Sequence, residues 1–176
     1  IVSITEDNRG RLWIITFQGG INVFDPATQK ISFFGSSVNS VQKLTDNNFW
    51  ATYNTRDGLI WISAWGSNIY KANPFQVKVP HTRIGNSVID FVEDRDKSLW
   101  MATLNGLVHL DSNKVMKQYL PDKDTNSLHN IILFINNEDS GKILAGTYHG
   151  LLEFDPVNKT FEDYQPVKGK RIKWMS

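Results

Sequence analysis

The chain has 176 residues, 40% hydrophobic and 21% charged, with 19 Lys and Arg against 18 Asp and Glu and no cysteine. That is the make-up of an ordinary folded domain. A net charge of +1 gives no electrostatic footprint for nucleic acid or an acidic membrane surface, and the lack of cysteine excludes disulfides and thiolate chemistry.

In chain order, strands are expected over residues 2–6, 11–16, 20–24 and 30–34. They are short apolar runs parted by Asp/Asn/Gly/Pro turns such as Asp7-Asn8-Arg9-Gly10 and Asp25-Pro26-Ala27-Thr28. The same pattern then returns. Glu6-Asp7-Asn8-Arg9-Gly10-Arg11-Leu12-Trp13 is echoed by Arg56-Asp57-Gly58-Leu59-Ile60-Trp61 and by Glu93-Asp94-Arg95-Asp96-Lys97-Ser98-Leu99-Trp100. A fourth copy is Glu138-Asp139-Ser140-Gly141-Lys142-Ile143-Leu144, with Leu144 in the Trp place. The successive spacings Trp13 to Trp61, Trp61 to Trp100 and Trp100 to Leu144 are 48, 39 and 44 residues, within the range of four-stranded propeller blades. After each core comes a second apolar run, as in Gly20-Ile21-Asn22-Val23-Phe24-Asp25 and Gly150-Leu151-Leu152-Glu153-Phe154-Asp155.

The expected fold is all-β: four consecutive four-stranded antiparallel blades over residues 1–40, 41–86, 87–128 and 129–170. Residues 171–176 are the start of a further blade or a tail. A single such sheet cannot hide both apolar faces, so blades need neighbours. Trp13, Trp61 and Trp100 are read as packing between blades, each indole N–H needing a polar partner. The basic cluster Lys168, Lys170, Arg171 and Lys173 is read as a solvated tail. The longest uncharged windows, such as Gly58 to Tyr70 and Thr125 to Asn137, have 13 residues, fewer than the roughly 20 apolar residues of a membrane helix.

No catalytic constellation emerges. His81, His109, His129 and His149 lack metal-motif spacing, and neither a phosphate loop nor a nucleophile elbow is present. Asp122-Lys123-Asp124-Thr125-Asn126-Ser127 has alternating carboxylates but lacks the glycine and distal glutamate of a calcium loop. It is read as a turn, and no metal or cofactor is expected. The informative contrast is between monotonous turns on one face of the blades and individual loops on the other. Four and five residues after the packing position stand Phe17-Gln18, Trp65-Gly66, Leu104-Asn105 and Tyr148-His149. Aromatic faces stack on sugar C–H groups, and amide or imidazole groups bond hydroxyls. Gln18, Trp65, Asn105, Tyr148 and His149 are therefore the candidate ligand-binding residues, with an oligosaccharide as the ligand.

The repeated E-D-x-x-G-x-L-W core, followed by G-[LI] and F-D, resembles the two-component regulator propeller repeat. That resemblance implies a segment of the periplasmic sensor region of a hybrid two-component histidine kinase, with kinase chemistry elsewhere. It also implies a seven-bladed ring, which at this period takes about 300 residues. The expectation is thus a fragment whose partners are the remaining blades or a second copy. It would be a non-catalytic module binding a glycan fragment to regulate polysaccharide use. A scaffold binding a protein partner, and a propeller lyase or hydrolase, are the alternatives. The copies depart from the pattern at Lys97 in the usual Gly place, at Asn54-Thr55 for Glu-Asp, and at Leu144.

Overall fold

The computed structural model describes residues 1–36, 42–66, 68–75, 79 and 81–164. The basic C-terminal cluster and residues 171–176 lie outside them. Four antiparallel sheets follow one another along the chain. The first contains β1 (Ser3–Glu6), β2 (Leu12–Ile15), β3 (Ile21–Asp25) and β4 (Lys30–Gly35), and the two-residue β5 (Gln42–Lys43) adds to β4 in parallel. The second contains β6 (Phe49–Asn54), β7 (Ile60–Ala64), β8 (Asn68–Ala72) and β9 (His81–Arg83). In the third are β10 (Val88–Glu93), β11 (Leu99–Thr103), β12 (Gly106–Leu110) and β13 (Met116–Tyr119). The fourth has β14 (Ile132–Asn137), β15 (Ile143–Thr147), β16 (Gly150–Asp155) and β17 (Thr160–Asp163). The fold is all-β, its one helical element a 3-10 turn at Leu128–Asn130 among the described residues. The fifth strand of the first sheet is an addition to the four expected.

The copies share one register. Trp13 pairs with Val23, Trp61 with Lys71, Trp100 with His109 and Leu144 with Glu153. Because side chains alternate along a strand, these positions share one face of their sheets, and Trp13, Trp61 and Trp100 point toward the following sheet. The first strands β1, β6, β10 and β14 meet side by side in succession, while β14 makes no comparable contact with β1. The described blades form an arc with three internal seams.

Each seam is a separate core. Trp13, Ile15 and Phe34 pack against Phe49, Ile60, Ile62 and Tyr70 of the second blade. Ile69 and the half-buried Trp61 meet Leu99, Met101 and Val108 of the third. Trp100, Ala102 and Leu107 meet Ile132, Ile143 and Phe154 of the fourth. On the outward side of the first blade, where no preceding sheet covers it, Ile4 and Ile31 are 55% and 67% exposed.

Polar groups fasten the seams as well. Asn54 Nδ2 donates to the Glu6 carbonyl at 2.9 Å, and Asn137 Nδ2 to the Glu93 carbonyl at 2.7 Å. The buried Glu93 carboxylate instead reaches back to the Arg56 backbone N–H and Nε, at 2.9 and 3.0 Å. Asp90 accepts the Ile135 N–H of the neighbouring blade at 3.0 Å. Burial pushes its carboxyl up, and the Ile135 and Phe91 N–H groups offset part of that rise.

The motif acquires a physical reason. Trp13 Nε1 donates to Asp7 Oδ2 at 2.8 Å, and Trp100 Nε1 to Asp94 Oδ2 at 2.9 Å. The Asp six residues upstream is thus the polar partner each buried indole requires. Asp7 also accepts the Arg9 and Arg11 backbone N–H groups and the Arg11 guanidinium. Burial alone would raise its carboxyl, but these bonds, Trp13's foremost, hold it below the usual carboxylate range. Trp61 departs from the expectation of a fully buried packing residue. Thr55 occupies the Asp place, and its hydroxyl bonds Asp57 and the Leu59 carbonyl within its own turn.

Candidate functional site

The candidate residues sit on the loops after the second strand of each blade, and a local device shapes most of these loops. Thr16, Thr103 and Thr147, three residues after the packing position, donate from Oγ1 to the carbonyls of Gly20, Gly106 and Gly150 at 3.0, 2.8 and 3.1 Å. The Thr103 and Thr147 hydroxyls also accept the backbone N–H of Asn105 and of His149. Glycine closes the turn because the backbone runs at positive φ there. At Gly106 φ is +90°, and a Cβ would stand 2.4 Å from the Tyr119 carbonyl oxygen. The second blade has Ala64 instead of Thr, and its loop is held from outside. Trp65 N–H donates to the Asn48 carbonyl at 2.8 Å, and Gly66 N–H to Ser87 Oγ at 3.1 Å.

The five residues stand in equivalent loops of successive blades, but their surroundings differ. Gln18 is exposed at φ 65°. Trp65 is 47% exposed and lies tilted against Trp50, ring centroids 5.2 Å apart. Tyr148 is 65% exposed. His149 is exposed and stacks on His129 at 4.2 Å with planes 13° apart. Asn105 is half-buried, its Oδ1 enclosed without a hydrogen-bond partner. Among the described residues, no hydrogen bond or ring contact joins one of the five directly to another. What the fold brings together is Trp65 with Trp50, and His149 with His129.

Trp50 and His129 were not legible as site residues. Trp50 lies in a β-bulge where the β6–β7 register shifts between Phe49 and Thr52. Equivalent shifts occur between Val88 and Asp90 and between Ile132 and Phe134. A bulge re-aims side chains at the end of a strand, so Trp50 leaves the alternation of β6 and meets the neighbouring loop. The adjacent aromatics Phe49-Trp50 are the one sequence signal, since a strict strand would place them on opposite faces. His129 reaches its place through the 3-10 turn, capped by the Ser127 hydroxyl. It also lines a groove of about 270 Å³ with Asp122, Phe161 and Asp163.

The opposite face carries the short turns. Asp25, Asp111 and Asp155 each accept the N–H two residues on, at 2.9, 2.9 and 2.8 Å. On the loop face, beside His129, Asp122 and Asp124 do the same for the Asp124 and Asn126 N–H groups, so the alternating carboxylates of that segment serve their own turns.

Residues 82–105 match the two-component regulator propeller family. No curated protein matches the chain significantly. Among solved structures, the extracellular domain of a hybrid two-component system from B. thetaiotaomicron is 25% identical. It superimposes with a TM-score of 0.72 over 92% of this chain and 21% of that one. A second such extracellular domain from the same organism is 21% identical, with a TM-score of 0.66 over 90% of this chain and 23% of that one. Virginiamycin B lyase from Staphylococcus aureus is 12% identical, with a TM-score of 0.71 over 94% of this chain and 55% of that one, and shares the fold. The chain spans about a fifth of the length of the two-component ectodomains it matches.

Proposed function

We propose that this chain, which carries two-component regulator propeller repeats, is part of the periplasmic sensing region of a hybrid two-component system, and that its loop face binds an oligosaccharide. The likeness to extracellular domains of such systems supports an extracytoplasmic sensor segment. The observation that carries the ligand class is the exposed corner of two indoles, Trp50 and Trp65, on loops fastened to a rigid frame. Two flat apolar faces at an angle suit the C–H faces of a pyranose. Gln18, Asn105 and His149, with Tyr148 as a further stacking surface, supply polar groups for hydroxyls in neighbouring loops. The outward faces of the first and fourth blades are completed by further blades of the parent ectodomain. Binding signals by favouring one of two arrangements of that ectodomain, which requires different affinities for the two.

The test is calorimetric titration of the parent ectodomain with a panel of bacterial-, plant- and host-derived oligosaccharides. Stacking at such a site contributes about 1 kcal/mol, so Trp65→Ala or Tyr148→Ala weakens binding roughly fivefold with melting temperature nearly unchanged. Asn8→Ala and Thr28→Ala, on the turn face, leave affinity alone. Equal affinities for all four variants remove the loop face as the site.

A further inference from the structure

Two departures from the repeat motif face each other across the seam between the second and third blades. Thr55 stands where the first and third copies have Asp7 and Asp94, and the Trp61 indole N–H is neither paired nor buried among the described residues. Lys97 stands where the other copies have Gly10, Gly58 and Gly141, and it holds φ at 67° in the same turn where those glycines lie at 73°, 78° and 83°. That conformation disfavours any residue with a side chain, and such departures gather at functional positions.

Between them lies a groove of about 230 Å³, lined by Trp61, Lys71, His81, Lys97 and Lys114 together with Asp111. Lys71 Nζ stands 5.2 Å from the centre of the Trp61 ring. No carboxylate forms an ion pair with any of the three lysines among the described residues. Asp111 is engaged in its own turn, accepting the Asn113 and Val115 N–H groups. The matching groove at the first seam, of about 250 Å³, differs in the partners of its lining groups. There Trp13 is bonded to Asp7, Arg11 to Asp7 and the Pro74 carbonyl, and Arg9 lies over the Phe75 ring. Among the described residues, the second seam thus keeps an indole donor without a hydrogen-bond partner and three lysines without an ion pair beside an aromatic wall. Lys97 stands close enough to Asp57 for its charge to help, after the Thr55 hydroxyl, to hold that carboxyl down. The recess is smaller than the roughly 300 Å³ at which drug-sized pockets begin.

We propose that this seam binds a single carboxylate-bearing sugar ring, the carboxylate among Lys71, Lys97 and Lys114 and a ring hydroxyl accepting from the Trp61 indole N–H. Lys97 and Lys114 belong to turns on the face opposite Trp65 and Tyr148, so the site stands apart from the loop face. Glucuronate is the probe, with glucose and inorganic phosphate as comparators, followed by calorimetry and by the indole N–H resonance of Trp61, assigned through Trp61→Phe. Glucuronate is expected to bind and to move that resonance. Lys97→Gly restores the residue the other copies carry, so it keeps the melting temperature or raises it, and it weakens glucuronate binding at least fivefold. Thr55→Asp engages the indole and weakens binding as well, whereas Lys123→Ala does not. The proposal is overturned if glucuronate fails to bind, if Lys97→Gly binds it as well as the parent chain, or if glucose or phosphate binds as tightly.

Discussion

Trp100 and Trp61 occupy the same place in adjacent copies and do different things. Trp100 is 3% exposed and bonded to Asp94. Its ring stacks on His109 at 4.1 Å and meets Phe154 edge-on at 5.4 Å. Burial keeps His109 below its usual range, with Asp96 and Asp94 opposing the shift. Trp61 is half-buried, has Lys71 over its ring and, among the described residues, no acceptor for its N–H. The register sets where a tryptophan stands. The residue six positions upstream and the blade opposite set whether it is consumed by packing or left available.

The largest effect expected from this contrast is on stability. Trp100→Ala costs about 3–5 kcal/mol, as for a buried large aromatic. Trp61→Ala costs clearly less because its ring is partly solvated, and the exposed Lys117→Ala less than about 0.5 kcal/mol. Denaturant melts check the order, and equal losses at the two tryptophans would erase the distinction.

Removing the acceptor is a smaller blow. Asp94→Ala leaves a buried indole N–H unpaired and costs about 1–3 kcal/mol. The first blade shows the same bond through pH. Asp7 is held below its ordinary value in the folded chain, so its carboxylate contributes stability above the unfolded value, and that contribution is lost as pH falls through the folded one. Acid titration of stability should therefore be shallower for Asp7→Asn than for the parent chain.

The smallest change runs the other way. Thr55→Asp gives the second copy the Asp spacing of Asp94 and Asp96 and offers Trp61 the acceptor it lacks. It should stabilise by about 1 kcal/mol, read as a higher denaturant midpoint with unchanged slope. No gain would mean that the Trp61 N–H cannot reach the slot that Asp7 and Asp94 fill in their copies.

The strands, their order and the all-β architecture were legible because their causes are local. Alternation of period two and Asp/Gly turn chemistry act within about ten residues, and repetition multiplied the signal. Of the candidate site, Trp65 and Tyr148 were legible as individual aromatics in otherwise uniform loops, and both emerge exposed. Trp50 and His129 were not, because one depends on a bulge that breaks the alternation and the other on a short 3-10 turn.

By itself the sequence determined four copies of a blade, the Asp and Trp spacing within each copy, and the turns that close them. Only the tertiary structure decided which indole is satisfied, which loop aromatics meet and which cations share a groove. Lys71 and Lys97 lie 26 residues apart in the chain and line one groove because two sheets pack face to face. Pairings across a seam depend on how one blade's outward row meets the next blade's inward row, and no spacing within a single strand encodes that meeting.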